Sequence, residues 1–408
     1  MSAEYKNLGN SGALDSSGGN GVTGGGGAGY IELETWELGS VKNSGALTSR
    51  GGTCTATDCS GGSGEYVTLY AYGAVTSSGS IDSSGADGKG TGTGGTGGRI
   101  QFSAYEGYGY AGNVAQATGS VTISGNLTTK GGNGSTGATG GYVRVRLDPY
   151  YNPLGQEIVF LGYTDITTSG GNSTSSTGGN AGFVNLANEY STIADTTYGP
   201  GGAAINYANV TALGGNGTQG GNGGYLGLYT QSDYTFNSPH EFVRNVASTV
   251  DFSGGSSSNA SAYGGYPGYL DIEGIAGAEN RAAVTGKGGN SSGANGYGGY
   301  ANENSIYADY GTATNSGTFT LTGGNGTNGY GGGGGALYIY GTTASNTAAL
   351  TLTGGTGTLT GGYGGYVELN SSPNGPSVST GTINVSGGTG TPNGGMGSVT
   401  IDGADATP

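Results

Sequence analysis

Short segments in which apolar and polar residues alternate recur along the whole chain, and two kinds stand out. The first kind begins with an aliphatic or aromatic residue, continues through small residues and ends at glycine. It recurs eleven times, beginning at Leu14, Leu47, Ile81, Leu127, Ile166, Val210, Val250, Val284, Phe319, Leu350 and Ile383. The mean period of about 37 residues predicts a tandem-repeat protein.

The second kind of segment is a longer strand with regular alternation. Val143 and Val145 flank Arg144 in residues 142–147, and residues 31–33 repeat the pattern. A period of two predicts β-strands whose aliphatic residues face a core and whose polar residues face outward. A third, weaker extended segment precedes most segments of the first kind, for example at 120–123 and 204–207.

Three strands per repeat predict an all-β fold, namely a single parallel β-helix (β-solenoid) of about 11 rungs that occupies residues 1–408 as one domain. Strands stacked at about 4.8 Å would form a rod of roughly 50 Å. The regular spacing of like strands favours this parallel coil over a sandwich of hairpins. The stretch around Ser305 departs from the pattern and is predicted to be irregular.

Glycine supplies 98 of the 408 residues and is concentrated in arcs between the first and second kinds of strand. We expect it there because it permits positive φ and close approach of backbones in neighbouring rungs. A bundle of polyglycine-type extended helices is the competing architecture, and the alternating strands disfavour it. Asparagines that follow glycine pairs are expected to stack as an amide ladder: Asn20, Asn133, Asn172, Asn216, Asn290 and Asn325.

Charge and hydropathy exclude two classes of partner. The formal net charge is −15, so the chain has no basic stripe that would bind nucleic acid. No run reaches the roughly 18 apolar residues of a membrane span, and residues 1–30 lack the basic and apolar regions of a signal peptide. We therefore expect no membrane span.

The two cysteines, Cys54 and Cys59, lie close together in a polar loop. A disulfide between them is the favoured interpretation for an oxidising compartment, and a pair of free thiols is the alternative. A metal site would need two further ligands, which the surrounding sequence does not offer.

Residues with catalytic chemistry are sparse. His240 is the only histidine, and the interpretation we favour for it is a solvated loop residue. The predicted outward positions place no two carboxylates on neighbouring rungs; Asp15 and Asp82, for example, are separated by Thr48. The Gly-Gly-Asn-Gly runs lack the aspartate of calcium-binding nonapeptide repeats. We expect neither an enzyme, nor a cofactor, nor a metal site.

An aromatic column opens the second-kind strands. Its members are Tyr30, Tyr66, Tyr142, Phe183, Tyr225, Tyr269 and Tyr366. Rings at rung spacing would stabilise the outer face of the coil as a ladder. The alternative is a platform that binds a glycan or another surface.

A threonine column is predicted on the outward side of the first-kind strands. It contains Thr48, Thr128, Thr167, Thr211, Thr285, Thr320 and Thr351. Such an array resembles the ice-binding face of solenoid antifreeze proteins, which usually show two columns as Thr-x-Thr. Here the partner position is interpreted as inward and variable, so ordinary β-propensity explains the column better.

The glycine arcs, the repeat period and the nearly uncharged faces resemble glycine-rich β-helix repeats of bacterial surface proteins, adhesin-like or filament-forming, and of some phage fibres. That resemblance implies an extracellular or cell-surface protein, with a virion fibre as a variant. The leading hypothesis is a structural subunit of a filament or surface appendage that assembles end to end through open solenoid ends, or a part of a longer protein. A carbohydrate-binding adhesin is the alternative, and an ice-binding protein ranks lower.

Two further expectations concern the ends and the loops. The last predicted strand, residues 398–402, is followed by no recognisable capping segment, so we expect open strand edges at that end. Insertions at 148–160, 188–203 and 230–246 interrupt the repeat and are where a specific contact is expected.

Overall fold

The computed structural model describes residues 2–4, 7–36, 39–105, 120–148, 158–160, 164–189, 203–231, 242–372 and 375–408. Throughout these ranges the regular secondary structure is β-strand and no helix occurs. Nearly all strands belong to three long sheets, here named sheets A, B and C, and each repeat contributes one strand to each of them in that order.

Sheet A has thirteen strands, all parallel except the last. In spatial order they are Ser2–Glu4, Ile31–Trp36, Val67–Ala71, Arg99–Tyr105, Tyr142–Asp148, Val184–Glu189, Leu226–Gln231, Leu270–Gly274, Glu303–Ala308, Ala336–Gly341, Tyr366–Ser371, Ser398–Ile401 and Ala404–Asp405.

Sheets B and C have eleven strands each. Those of sheet B are Leu8–Asn10, Val41–Asn43, Val75–Ser77, Val121–Ile123, Ile158–Phe160, Ala204–Asn206, Phe242–Asn245, Gly277–Asn280, Thr312–Asn315, Thr343–Asn346 and Ser377–Ser379. Those of sheet C are Leu14–Asp15, Leu47–Thr48, Ile81–Asp82, Leu127–Thr128, Asp165–Thr167, Asn209–Thr211, Thr249–Asp251, Ala283–Lys287, Phe319–Thr322, Leu350–Thr351 and Ile383–Asn384. A small parallel pair, Ser291–Tyr297 with Gly326–Tyr330, lies outside the three sheets.

The predicted alignment of the repeats is confirmed residue by residue in sheet C. All eleven residues that begin the first-kind segments pair in one column, from Leu14 opposite Leu47 to Leu350 opposite Ile383. In sheet A, Val143 and Val145 are fully buried, as their alternation with Arg144 predicts. Stacking the repeats thus joins aliphatic residues that no single repeat could bury into one continuous core.

The stretch around Ser305 is regular, contrary to the prediction. Glu303–Ala308 is an ordinary strand of sheet A that pairs with both neighbours. The aliphatic signal was missing because Asn304, which is buried, occupies a core column between Leu270 and Leu337. Its side-chain oxygen accepts a hydrogen bond from the backbone N–H of Leu270 at 2.8 Å.

Each repeat also contains two glycine-rich segments, an outgoing one that leaves sheet C and a return one that enters sheet A. Their hydrogen bonds follow a period of three. The backbone N–H of Lys130 donates to a serine side chain of the previous repeat, that of Gly131 to a carbonyl of the next repeat, and that of Gly132 across to a return segment. Residues 133–135 repeat the same three directions in the same order.

A three-residue period is that of polyproline II-type extended helices, not of a β-strand. The segments around residues 130–135 therefore have the hydrogen-bond period of the competing polyglycine architecture, whereas in two later repeats part of the segment forms the parallel pair of Ser291–Tyr297 and Gly326–Tyr330. The bonds that cross between the two kinds of segment form an unbroken chain from Gly19 to Gly394; Gly179, for example, donates to Gly171, and Gly215 donates to Gly179, both at 2.8 Å.

The arc glycines permit close approach of backbones, as expected. The other expectation, that they adopt positive φ, is wrong for nearly all of them. Among the described glycines only Gly90 and Gly403 have a left-handed φ. A Cβ built on Gly215, in contrast, would lie 1.9 Å from the carbonyl oxygen of Gly171. Backbone packs directly on backbone here, and among the crossing links only Ala86 and Ala138 carry a side chain, in each case a single methyl group.

At the C-terminal end the last edge of sheet A is covered, contrary to the expected open edge, whereas Ser377–Ser379 and Ile383–Asn384 are the outermost described strands of sheets B and C. Ala404–Asp405 folds back antiparallel onto Ser398–Ile401 and covers the last edge of sheet A. In the connecting turn, the Asp402 carboxylate accepts hydrogen bonds from the backbone N–H groups of Ser371 and Ser377 at 2.9 and 3.0 Å. These bonds hold the pKa of Asp402 down at about 2, with the Ser377 hydroxyl as the largest cause.

Candidate interaction surfaces

The predicted aromatic column forms a stack on the outer face of sheet A. Tyr142, Phe183, Tyr225 and Tyr269 stand in line, with ring centroids 4.7, 4.9 and 5.0 Å apart and planes within 7° of parallel. Burial raises the pKa of both Tyr225 and Tyr269. The faces of the inner rings are covered by one another, which fits the ladder interpretation; glycan binding by the column as a whole stays a prediction.

A cation completes the column where a ring is absent. Arg99 pairs with Tyr142 in the sheet register, and its guanidinium carbon lies 5.2 Å from the ring centroid of Tyr66 and 5.1 Å from that of Tyr142. An arginine held between two aromatic faces continues the stack through cation–π contacts. At the N-terminal end of the column Tyr30 is 68% exposed.

The column breaks after Tyr269. The next two positions in register are Glu303 and Ala336, and the column resumes at Tyr366. Tyr269, Glu303, Asn304, Ser305 and Tyr338 line a cavity of about 500 Å³ at this gap, together with Asp271, Ala301 and Asn302.

Hydroxyl groups surround the carboxylate of Asp271 beside this cavity. The hydroxyl of Tyr229 donates to Asp271 Oδ2 at 3.0 Å, and that of Ser305 donates to Oδ1. The Tyr229 ring reaches Asp271 because it lies across Gly227, where a Cβ would be 2.5 Å from the ring. Burial and the neighbouring carboxylate raise the pKa of Tyr229 far above its ordinary value.

The threonine column lies in register on sheet C, and its members are partly buried. Thr128 pairs with Thr167 and Thr320 with Thr351, for example. The partner position of a Thr-x-Thr pattern is two residues on and therefore faces outward, not inward as interpreted from the sequence. Its occupants are Ser17, Arg50, Ser84, Lys130, Ser169, Leu213, Ser253, Lys287, Thr322, Thr353 and Ser386. A second threonine column is thus present only at the two repeats with Thr322 and Thr353, and an ice-binding role stays a prediction.

The two cysteines are joined. Cys54 and Cys59 form a disulfide with a Cα–Cα distance of 6.0 Å, and both residues are buried. Backbone hydrogen bonds between Cys59 and Lys89, in both directions, tie this loop to the next repeat. The disulfide therefore closes the tip of one glycine arc.

The predicted asparagine column of the arcs exists, but its hydrogen bonds do not join one side-chain amide to the next. The side-chain oxygen of Asn133 accepts from the backbone N–H of Asn172 at 2.7 Å, and Asn172 accepts from Asn216 at 2.8 Å. Asn290 and Asn325 are related in the same way, and Asn20 accepts from Thr53. Each of these asparagine side chains thus accepts a hydrogen bond from a backbone N–H of the next repeat, one that does not bond to a glycine-segment carbonyl.

A second, buried asparagine ladder was missed by sequence analysis. Along sheet B the side-chain amides of consecutive repeats donate to one another at 2.8–2.9 Å. Its members are Asn10, Asn43, Asn206, Asn245, Asn280, Asn315 and Asn346. The signal is an asparagine four residues before the first-kind segment, as at Asn280 before Val284, or five residues before it at Asn245.

A tyrosine array on the return arcs was also missed. Tyr263, Tyr297 and Tyr330 stack with centroids 4.7 and 4.6 Å apart, and Tyr266 lies 6.3 Å from Tyr300. The sequence signal is Tyr-Gly-Gly-Tyr, which places two tyrosines on one face of a helix with three residues per turn.

Other predicted positions fall outside the described residues or bring no chemistry together. His240 and most of the insertions at 148–160, 188–203 and 230–246 lie outside the described part of the chain. Within it, no group of three His, Cys, Asp or Glu side chains is placed to hold a metal ion. The same residues contain no helix that is long and apolar enough to span a membrane.

Comparison with known proteins gives no relative for this chain: no protein-family model, no curated protein and no solved structure matches it.

Proposed function

We propose that the chain is a closed β-solenoid of about 11 coils, one strand of each sheet per coil, and that it serves as a rigid structural unit of an extracellular appendage. Each repeat adds one strand to sheets A, B and C in the same order, and the glycine segments connect sheet C back to sheet A. The single observation that carries the proposal is that the hydrogen-bonded columns run from the first described repeat to the last.

The disulfide supports an extracellular setting. Disulfides persist in oxidising compartments and are rare in reducing ones. The bond between Cys54 and Cys59 fastens an arc tip that otherwise depends on backbone hydrogen bonds. An appendage exposed to mechanical load and proteases would gain from such a fastening.

The two ends of the solenoid differ, which revises the hypothesis of assembly through both ends. At the C-terminal end the hairpin covers the last strand of sheet A, and Asp402 accepts a hydrogen bond from the N–H of Ser377 in the last strand of sheet B. At the N-terminal end, Ser2–Glu4 pairs only with residues 34–36, so residues 31–33 have no partner on that side among the described residues. They border a cavity of about 590 Å³ that Leu14 and Tyr30 also line. Unpaired strand edges invite further pairing. We propose that the unit associates through this end, with the edge of a second copy.

Gly9 provides a sharp test of this association. Leu8 uses its N–H to bond the next repeat, so the N–H of Gly9 points to the free side of the sheet B edge. A side chain at Gly9 meets nothing within 4 Å. Gly9→Pro should abolish concentration-dependent dimers in sedimentation velocity, and Gly9→Ala should preserve them. Monomers at all concentrations, or dimers that Gly9→Pro leaves unchanged, would remove the association from the proposal.

A further inference from the structure

We infer that the gap in the aromatic column, between Tyr269 and Tyr338, is a binding site for one unit of a neutral saccharide. This site does not depend on how the protein assembles. It is distinct from the stacked rings, because in the stack each inner ring face is covered by the next ring.

Tyr269 presents an aromatic face to the gap. Tyr225 covers one side of its ring at 5.0 Å, and the positions that would cover the other side hold Glu303 and Ala336 instead of rings. Tyr269 is 37% exposed and lines the cavity. The ring of Tyr269 ends a rigid stack and meets no second ring on its outer side. The stack already fixes its orientation, and its apolar face suits the C–H face of a sugar ring.

The opening is built into the sheet. Leu270 donates its N–H to the side chain of the buried Asn304, where its counterparts donate to a backbone carbonyl of the next repeat. Regular pairing between the two strands begins one residue later, at Asp271 opposite Ser305. The side-chain amide of Asn304 therefore replaces one backbone hydrogen bond between the two strands, and it does so beside the cavity.

Acceptors for hydroxyl groups converge on the same cavity. Glu303 is exposed at its mouth, and no hydrogen bond to its carboxylate occurs within the described residues. Asp271 is held by the hydroxyls of Tyr229 and Ser305. Carboxylates that accept from sugar hydroxyls, beside an aromatic wall, fit a polyol, whereas a net charge of −15 disfavours an anionic ligand.

The test is calorimetric titration of the folded protein with neutral hexasaccharides of glucose, mannose, xylose, galactose and N-acetylglucosamine. At least one should bind, and Tyr269→Ala and Glu303→Gln should each weaken binding about tenfold. Tyr269→Phe keeps the ring and should retain most of the affinity. Tyr207→Ala and Glu65→Gln, which lie away from the gap, should leave binding unchanged.

Three outcomes would overturn the site: no saccharide of the set binds at 10 mM (about the weakest useful range), the gap variants bind as the parent does, or a lysine-rich hexapeptide binds in place of every sugar and loses affinity in Glu303→Gln. Circular dichroism of Tyr269→Ala checks that the stack has not unfolded, and Tyr269→Phe keeps the test decisive if it has.

Discussion

At the scale of single residues, buried asparagines of sheet B link consecutive repeats through their side-chain amides. One amide hydrogen of Asn280 bonds the carbonyl of Ala282, which fixes the turn into sheet C, and the other bonds Asn315 in the next repeat. Asn245 donates to its oxygen from the other side. Because each member is buried, its amide satisfies groups that water cannot reach.

Replacement of Asn280 by alanine should therefore be costly. It leaves the amide of Asn245 and the oxygen of Asn315 without partners, and each buried unsatisfied group costs about 1–3 kcal/mol. We expect a clear loss in the guanidinium unfolding midpoint. Asn290→Ala removes one exposed hydrogen bond and is the matched control. Equal effects of the two variants would contradict the role given to the buried ladder.

Close backbone packing makes a second prediction at this scale. Alanine at Gly215 would place its Cβ 1.9 Å from a carbonyl oxygen, whereas at Gly277 the nearest atom is at 3.5 Å, an ordinary contact. Overpacking of this kind costs about 1–3 kcal/mol or more. Gly215→Ala should lower the thermal unfolding temperature by several degrees and Gly277→Ala by much less. Similar unfolding temperatures for the two variants would show that the arc backbone can shift to accommodate a methyl group.

At the scale of elements, the strands could be predicted and the glycine segments could not. Alternation of Val143, Arg144 and Val145 encodes a strand directly, because a period of two separates core from solvent. The arcs have a period of three in which two of every three N–H partners are backbone carbonyls, so residue types there report little beyond the asparagine column and the absence of other side chains. The strand at Glu303 was missed for a related reason: Asn304 fills a core position with a polar group that only the folded partners satisfy.

The saccharide site at the gap lay beyond sequence reasoning as well. The sequence does show Tyr269 in the aromatic column, but the gap depends on which residues the register brings beside it. Tyr338 is not in the aromatic column: it lies two residues after Ala336, which occupies the column position in that strand. It lines the same cavity as Glu303 because the two strands pair.

The C-terminal hairpin is an element whose stability should depend on pH. The folded pKa of Asp402 is about 2, below its ordinary value of 3.8. A lowered pKa means that the contribution is complete above about pH 4 and is lost as the pH falls toward 2. The protection factors of the Ser371 and Ser377 amides, meaning exchange relative to the intrinsic rate at each pH, should fall over that window. In Asp402→Asn the protection should be low already at pH 5, and a protection factor that does not change with pH in the parent protein would contradict the cap.

Removal of the disulfide tests how much this bond stabilises the arc tip. The bond joins residues five apart, and closing so small a loop contributes about 2 kcal/mol. The double variant Cys54→Ala, Cys59→Ala should unfold at lower denaturant concentration while keeping its β-sheet circular dichroism. An unchanged midpoint would show that backbone bonds to Lys89 suffice to hold the tip.

At the scale of the whole molecule, three long sheets and the glycine-rich segments repeat in the same order along the chain. The columns of hydrogen bonds, aliphatic side chains and aromatic rings all run in the same direction, so bending would break many contacts at once. The hairpin covers the C-terminal edge of sheet A, whereas Ser2–Glu4 at the N-terminal edge pairs on one side only.

Cryo-electron microscopy of the purified protein tests this account most directly. We predict straight rods of about 50 Å, alone or joined in pairs at one end to about 100 Å, with strand layers about 4.8 Å apart. Long filaments with an axial repeat of one rod would contradict the covered C-terminal edge of sheet A, and particles without rod shape would contradict the closed solenoid itself.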